Sequence, residues 1–361
     1  MIIAVLKETL PNETRVAITP QTVKLYIDIG FKVQIESKAG EAAGFDDDSY
    51  SSSGATIKKT LSATIKNADI IIKINPPTTK EMSLFTSKNI IISNFNNNIP
   101  IELIKKEVIC FALERIPRIS RAQNMDILSS QNNLAGYQAV IKAFSMLPKS
   151  APLMMTAAGT IPAAKVLILG VGVAGLQAIA TAKRLGAIVF ASDTRPEVKE
   201  QIESLGGRFL SVGNNNTHIQ KSPKTFLRLQ KKAIKQQLPQ TDVVITSALT
   251  IGKHAPCLID KNMLKLLPPN SVVIDMASSN GGNVEGSITD KITLFNHIKI
   301  FGGGNLVSEL PYSASQLLAQ NIFNFIKYIY SAEKQNINLN FKDEIILSTC
   351  INHNKQTDIK G

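Results

Sequence analysis

Two stretches of the chain carry residue types at spacings that chemistry could use. The first is Gly170-x-Gly172-x-x-Gly175, which follows the apolar run AKVLIL, opens a helical pattern, and is answered by an acidic residue, Asp193, at the end of the next apolar run. Gly170 permits a tight turn, Gly172 lets a diphosphate approach the backbone, and Gly175 lets helix and strand pack closely. The helix N-terminus then offers unpaired N–H groups and a positive dipole end to the diphosphate. With strand, helix and acid all in place, the motif predicts a dinucleotide site. Asp193 would accept from the adenosine ribose hydroxyls and repel a 2′-phosphate, favouring NAD(H) over NADP(H). Arg195, two residues on, either meets a phosphate or pairs with Asp193 or Glu197.

The second stretch is RISRAQNMD, residues 118–126, with two arginines, a glutamine, an asparagine and an aspartate in nine positions. Arg118 and Arg121 suit phosphate or carboxamide oxygens. Gln123 carries a donor and an acceptor, as a nicotinamide carboxamide requires, and Asp126 is able to orient an arginine. On composition alone, a solvated loop that caps the following helix at Ser129 reads equally well.

Oxidation of an alcohol or amine by NAD also needs a group that moves a proton. The chain has four histidines, His218, His254, His297 and His353. His254 lies near the expected cofactor face, in GKHAP, without a carboxylate partner in the sequence. Hydride transfer between two nicotinamide rings needs no general base, only two rings held at short range and water kept out. Orienting residues without an acid or base fit that reaction.

These residues need elements to position them. Apolar runs at 2–7, 31–36, 68–74, 88–95 and 108–113 read as strands, the first as an edge strand, with a helix over 19–30. In the middle of the chain, strands are expected at 164–169, 187–193, 241–248, 271–277 and 298–303, the last ending the sheet. Helices are expected at 176–186 and 194–206, the latter opened by a Thr194-x-x-Glu197 capping box. The alternation predicts an α/β protein with two Rossmann-like domains and largely parallel sheets. Two long helices, 129–148 (capped by Ser129 or Ser130) and 313–330, are expected to join them. The expected domains are 1–128 with 305–361, carrying the 118–126 loop, and 129–304, binding the nucleotide.

The remaining composition mostly excludes. The chain has 361 residues, 44% apolar and 19% charged, which fits a globular protein of two domains. The net charge of +12 comes from lysines spread along a chain rich in Ile and Asn. No zinc spacing, RNA-binding aromatic motif or helix-turn-helix pattern accompanies it, so no nucleic acid is expected. Cys110, Cys257 and Cys350 are far apart, predict no metal site, and suit a reducing compartment. VLILGVGVAGLQAIATA (166–182) is uncharged and nearly long enough to span a bilayer. Its glycines are those of the nucleotide motif, and no transmembrane helix is expected.

The segments PRISRAQNMDILSSQNNLAGYQAV (117–140), MMTAAGTIPAAKVLILGVGVAGLQAIATAKRLGA (154–187) and KEQIESLGGRF (199–209) resemble the NAD(H)-binding alpha subunits of proton-translocating NAD(P) transhydrogenases. KETLPNETRVAITP (7–20) is similar to the wider family that includes alanine dehydrogenase. The resemblance runs to about residue 330. It implies hydride transfer from NADH to NADP+, coupled to proton passage across a membrane, with Arg118, Gln123 and Asp126 at the nicotinamide. The cofactor-binding set expected here is Ser129, Gly170, Gly172, Val173, Ala174, Gly175, Asp193, Thr194, Arg195 and Gly252. The resemblance further implies a homodimer, a membrane-spanning partner subunit, and a beta subunit that binds NADP(H). A cytoplasmic location, peripheral on the inner membrane, follows from the same resemblance.

The chain departs from the family at three places. The mobile loop, 213–236 here, is basic and lacks the usual tyrosine, with Phe226 as a possible stand-in; ASSNGGN (277–283) lacks the usual acid; and Asn305 is followed by Leu306-Val307-Ser308 where the family has Pro-Ser. Arg15 and Lys73 match substrate-binding positions of alanine dehydrogenase. The catalytic histidine of that enzyme would fall in SNFNNN and its aspartate in ASSNGG, and neither is present. A third reading is a regulatory NAD(H)-binding subunit with weakened turnover.

Overall fold

The computed structural model describes residues 1–98, 100–210, 223–249 and 254–352, with backbone alone at 223–227. Two compact units emerge, Met1–Gln131 with Ser308–Gly361, and Asn132–Val307.

In the first unit six strands, β1 (Ile2–Val5), β2 (Lys32–Glu36), β3 (Thr56–Lys58), β4 (Ile70–Ile72), β5 (Ile90–Ser93) and β6 (Ile109–Ala112), form one parallel sheet in the order 3-2-1-4-5-6. β1 is therefore central, not the edge strand its position at the start of the chain suggests. Its polar follow-on, Lys7 and Glu8, lies past the strand end, so it does not mark an edge. β4 and β5 are apolar on both faces because helices cover both faces of a parallel sheet. The helix Pro311–Ile329 belongs to this unit and packs Leu318, Ile322, Phe325, Ile326 and Ile329 into the core. The chain then returns to β6, where the Asn352 amide donates to the Val108 carbonyl at 2.7 Å. Cys110 is buried there, and burial pushes its thiol up to about 12.

The second unit carries a hairpin, β7 (Met154–Thr156) and β8 (Gly159–Ile161), and a sheet of seven strands. These are β9 (Lys165–Leu169), β10 (Ile188–Ser192), β11 (Arg208–Phe209), β12 (Val243–Thr246), β13 (Val272–Asp275), β14 (Ile292–Phe295) and β15 (Ile298–Gly302). The order is 11-10-9-12-13-15-14. Ile298–Gly302 is the last strand of the sheet in sequence, as expected, but not its edge: β14 pairs antiparallel outside β15. Its alternating, largely exposed pattern lacks the apolar run that marks the central strands. In both sheets the strand order reverses beside the first strand, the place where ligands bind in this architecture.

Three helix starts differ from expectation. Ile127–Met146 is capped not by Ser129 or Ser130 but by Asp126, whose Oδ1 accepts from the Ser129 amide at 3.0 Å. The Thr194–Glu197 capping box does not form. That helix begins at Val198 without a side-chain cap, because Asp193 and Arg195 engage each other and hold the intervening turn. Residues Pro223–Gln237, expected within a loop, form a helix.

Candidate functional site

The glycine turn leaves β9 at the point of strand-order reversal. Gly170 has φ +93°, and a Cβ there would sit 2.8 Å from the Ala248 amide nitrogen. A Cβ on Gly175 would collide with the Gly170 carbonyl oxygen, so both positions exclude a side chain for geometric reasons. Gly172 differs: a Cβ there would meet nothing within 4 Å among the described residues. It is exposed, as is Val173, while Ala174 and Gly175 are buried. The helix Val173–Arg184 starts here with Gly172 extended and no side-chain cap, so its first-turn amides are left for a ligand. An open cradle beside uncapped amides fits a dinucleotide diphosphate.

Asp193 ends β10 and reaches back to this turn, its Oδ2 accepting from the Val171 amide at 2.7 Å. Arg195 takes the rest of the carboxylate. Its amide and Nε donate to Oδ1 at 2.9 and 3.0 Å, and its Nη2 donates to Oδ2 at 3.1 Å. Burial alone would raise the Asp193 pKa, but the Arg195 and Val171 hydrogen bonds outweigh it and hold the carboxyl below the ordinary range. Arg195 thus pairs with Asp193 rather than Glu197, and four donors occupy both oxygens. The Arg195 guanidinium that covers Asp193 is itself half exposed. Thr194 is exposed beside it. Gly252 lies outside the described residues.

Three residues behind the turn were not singled out from sequence. Asp275, fully buried at the end of β13, accepts from Thr246 Oγ1 at 3.1 Å and from the amides of Ala277, Asn283 and Val284. Asn283 clamps Ala248, accepting from its amide at 3.0 Å and donating to its carbonyl at 2.9 Å. Ala248 is the residue against Gly170, so this network sets the height of the glycine turn. Gly136, inside the helix Ile127–Met146, lets the Ala174 backbone approach; a Cβ there would lie 3.0 Å from Ala174 Cα. An aspartate closing an apolar strand, as at VVID and FASD, was the available signal. His254 is exposed and has no hydrogen-bond or ion-pair partner among the described residues. Among those residues no group of His, Cys, Asp or Glu is arranged to hold a metal ion.

In the first unit, RISRAQNMD forms a short 3-10 helix, Ser120–Met125, whose Ala122 and Met125 are buried. Half its polar residues hold the loop. The Arg121 Nη1 donates to Asp343 Oδ2 at 2.7 Å and to the Tyr328 hydroxyl at 2.8 Å. The Asn124 carbonyl accepts from Asn321 and Asn324 at 2.8 and 2.9 Å. Asp126 serves Ser129 twice, accepting from its amide and, at 2.6 Å, from its hydroxyl. Asp126 therefore orients no arginine. Arg118 and Gln123, like Ser120 and Asn124, are exposed and have no side-chain hydrogen bond or ion pair among the described residues.

Arg15 and Lys73 are committed inward. Arg15 makes a two-point pair with Glu13, Nε to Oε1 at 2.7 Å and Nη2 to Oε2 at 2.6 Å. Lys73, buried, donates to Glu81 at 2.6 Å and lies 4.0 Å from Glu8. Burial raises the Glu8 pKa despite Lys73. Three carboxylates around two cations leave no net positive charge for a carboxylate substrate.

No helix among the described residues is long and apolar enough to cross a membrane. Residues 4–135 match the alanine dehydrogenase/PNT N-terminal domain, and residues 139–358 match the C-terminal domain. The chain is 41% identical over 368 residues to the first part of the NAD(P) transhydrogenase alpha subunit of Rhodospirillum rubrum, covering 97% of this chain and 96% of that one. The crystal structure of transhydrogenase from Sinorhizobium meliloti superposes with a TM-score of 0.89 at 40% identity, over 97% and 98% of the two chains. An L-alanine dehydrogenase structure shares the fold, with a TM-score of 0.82 at 22% identity over 97% and 94%.

Proposed function

Because the chain belongs to the alanine dehydrogenase/PNT family and matches its transhydrogenase alpha-subunit members along nearly its whole length, we propose that it is the NAD(H)-binding subunit of a proton-translocating NAD(P) transhydrogenase. The observation that carries the reading is the open cradle at Gly172, beside uncapped helix amides and the carboxylate of Asp193. Gly170, Gly172, Val173, Ala174 and Gly175 hold the diphosphate through backbone contacts. Asp193, with Thr194 and Arg195 at its side, selects the ribose lacking a 2′-phosphate.

Arg118 and Gln123, exposed side chains of their loop without a hydrogen-bond or ion-pair partner among the described residues, hold and orient the nicotinamide end. Asp126 and Ser129 fix the loop from which Gln123 projects. Bound NADH supplies a hydride, which passes to the nicotinamide of NADP+ on a partner beta subunit. The chain provides orientation and exclusion of water and no general base. Proton coupling belongs to membrane-spanning partners. The chain works as a homodimer, peripheral on the cytoplasmic face of the membrane.

The inward ion pairs of Arg15 and Lys73 stand against amino-acid oxidation. Titration with NADH and NADPH tests the binding claim: NADH affinity is expected to exceed NADPH affinity by at least about tenfold, about 1.4 kcal/mol. Equal affinities would overturn it. Alanine-dependent reduction of NAD+ would instead establish the dehydrogenase.

A further inference from the structure

Between Glu203 and Asp242 the chain has seven Lys or Arg and no acidic residue. The helix Pro223–Gln237 gathers part of this charge onto one face. Gln230 and Ile234, one turn apart, are buried, with Gln230 Nε2 donating to Ser192 Oγ at 3.1 Å and Ile234 in the core beside Leu238, Met263 and Leu264. That fixes the helix rotation, and Arg228, Lys231, Lys232 and Lys235 recur at helical spacing on the exposed side. Lys231 is neutralised by Asp260 at 2.7 Å. Arg228, Lys232 and Lys235 make no hydrogen bond or salt bridge among the described residues.

We propose that this face, through Arg228, Lys232 and Lys235, docks on an anionic phospholipid surface. The proposal rests on the reading of the chain as a membrane-peripheral subunit. A protein partner would need an aromatic or aliphatic anchor in the patch, and single-stranded nucleic acid would need stacking rings. Among the described side chains exposed on this helix there are only cations and Gln236. Lipid headgroups need only cations within a Debye length, about 8 Å at physiological salt. The stripe spans two helical turns, about 10 Å, so all three cations approach one plane together.

Co-sedimentation of the full chain with vesicles tests this. Binding is expected to phosphatidylcholine vesicles containing phosphatidylglycerol, not to phosphatidylcholine alone, and is expected to be lost at high salt. R228Q/K232Q/K235Q is expected to weaken the partition about a hundredfold, while K199Q, on another exposed helix of this unit, leaves it unchanged. Thermal unfolding checks that the variants fold. Failure of the wild type to bind the anionic vesicles, or equal binding by the triple variant, overturns the proposal. So does a result in which the triple substitution weakens only binding to a DNA duplex. NADH titration of the same preparation is read separately, so absent NADH binding would overturn the functional reading without touching the vesicle result.

Discussion

The glycine turn and the polar loop are built on opposite plans. In the turn, the candidate binding groups are backbone, and three polar side chains behind them are already engaged: Asp193 with Val171 and Arg195, Asn283 with Ala248, Asp275 with four donors. In the loop, the Arg121 and Asp126 side chains and the Asn124 carbonyl are spent on fixing position, and Arg118 and Gln123, among the exposed side chains that make no hydrogen bond among the described residues, are the functional candidates. Under the proposed function, the geometry for a constant diphosphate is thus preformed, and the groups for the reacting ring are carried on an anchored turn with their side chains unpaired.

The difference is sharpest at Gly175. Gly175→Ala forces a Cβ onto the Gly170 carbonyl, so it is expected to cost about 1–3 kcal/mol and to abolish NADH binding, read by thermal unfolding and by titration. Gly172→Ala, where space is open, is expected to leave stability within about 0.5 kcal/mol and to weaken NADH about tenfold by filling the cradle. A matching loss of stability at Gly172 would break the distinction between packing glycine and binding glycine.

Next in size is the loop's anchor. Asp126→Ala removes the cap of the helix Ile127–Met146 and is expected to cost about 1 kcal/mol. Ser129→Ala keeps its backbone donor and is expected to cost less.

A smaller effect is expected at low pH. Asp193 has a depressed pKa in the folded chain, so its stabilisation is present above the ordinary carboxylate value of 3.8 and is lost as pH falls through the folded value. Unfolding midpoints followed against pH should show a shallower acid limb in Asp193→Asn than in the wild type. The smallest effect is expected for Arg121→Gln. Its guanidinium is half exposed, and Asp343 keeps its bond to the Tyr328 hydroxyl, so its loss is expected to leave the unfolding temperature nearly unmoved.

Much of this fold was legible because its central strands are continuous apolar runs and its glycines punctuate them. The turn at 170–175 and the acid at Asp193 could be read from spacing alone. Less visible were features decided by partners distant in sequence. Asp126 became a cap because helix geometry put it at the N-terminus of Ile127–Met146, one turn earlier than the serines suggested. Arg121 went to Asp343, more than two hundred residues away. Gly136 and Asn283 matter only because Ala174 and Ala248 come close in space. The basic charge, spread in sequence, becomes a stripe only when the helix rotation is known.

The central claim is that Gln123 orients the reacting ring and does not merely bind the cofactor. The direct measurement adds the purified chain to membranes that hold the other transhydrogenase subunits but lack this one. It follows NADH-dependent reduction of an NADP+ analogue. Wild-type chain is expected to restore activity, and Gln123→Asn to lower the rate about a hundredfold or more, as loss of general positioning does, with NADH affinity little changed. No restoration by the wild type, or equal losses in rate and NADH affinity for Gln123→Asn, would contradict the account.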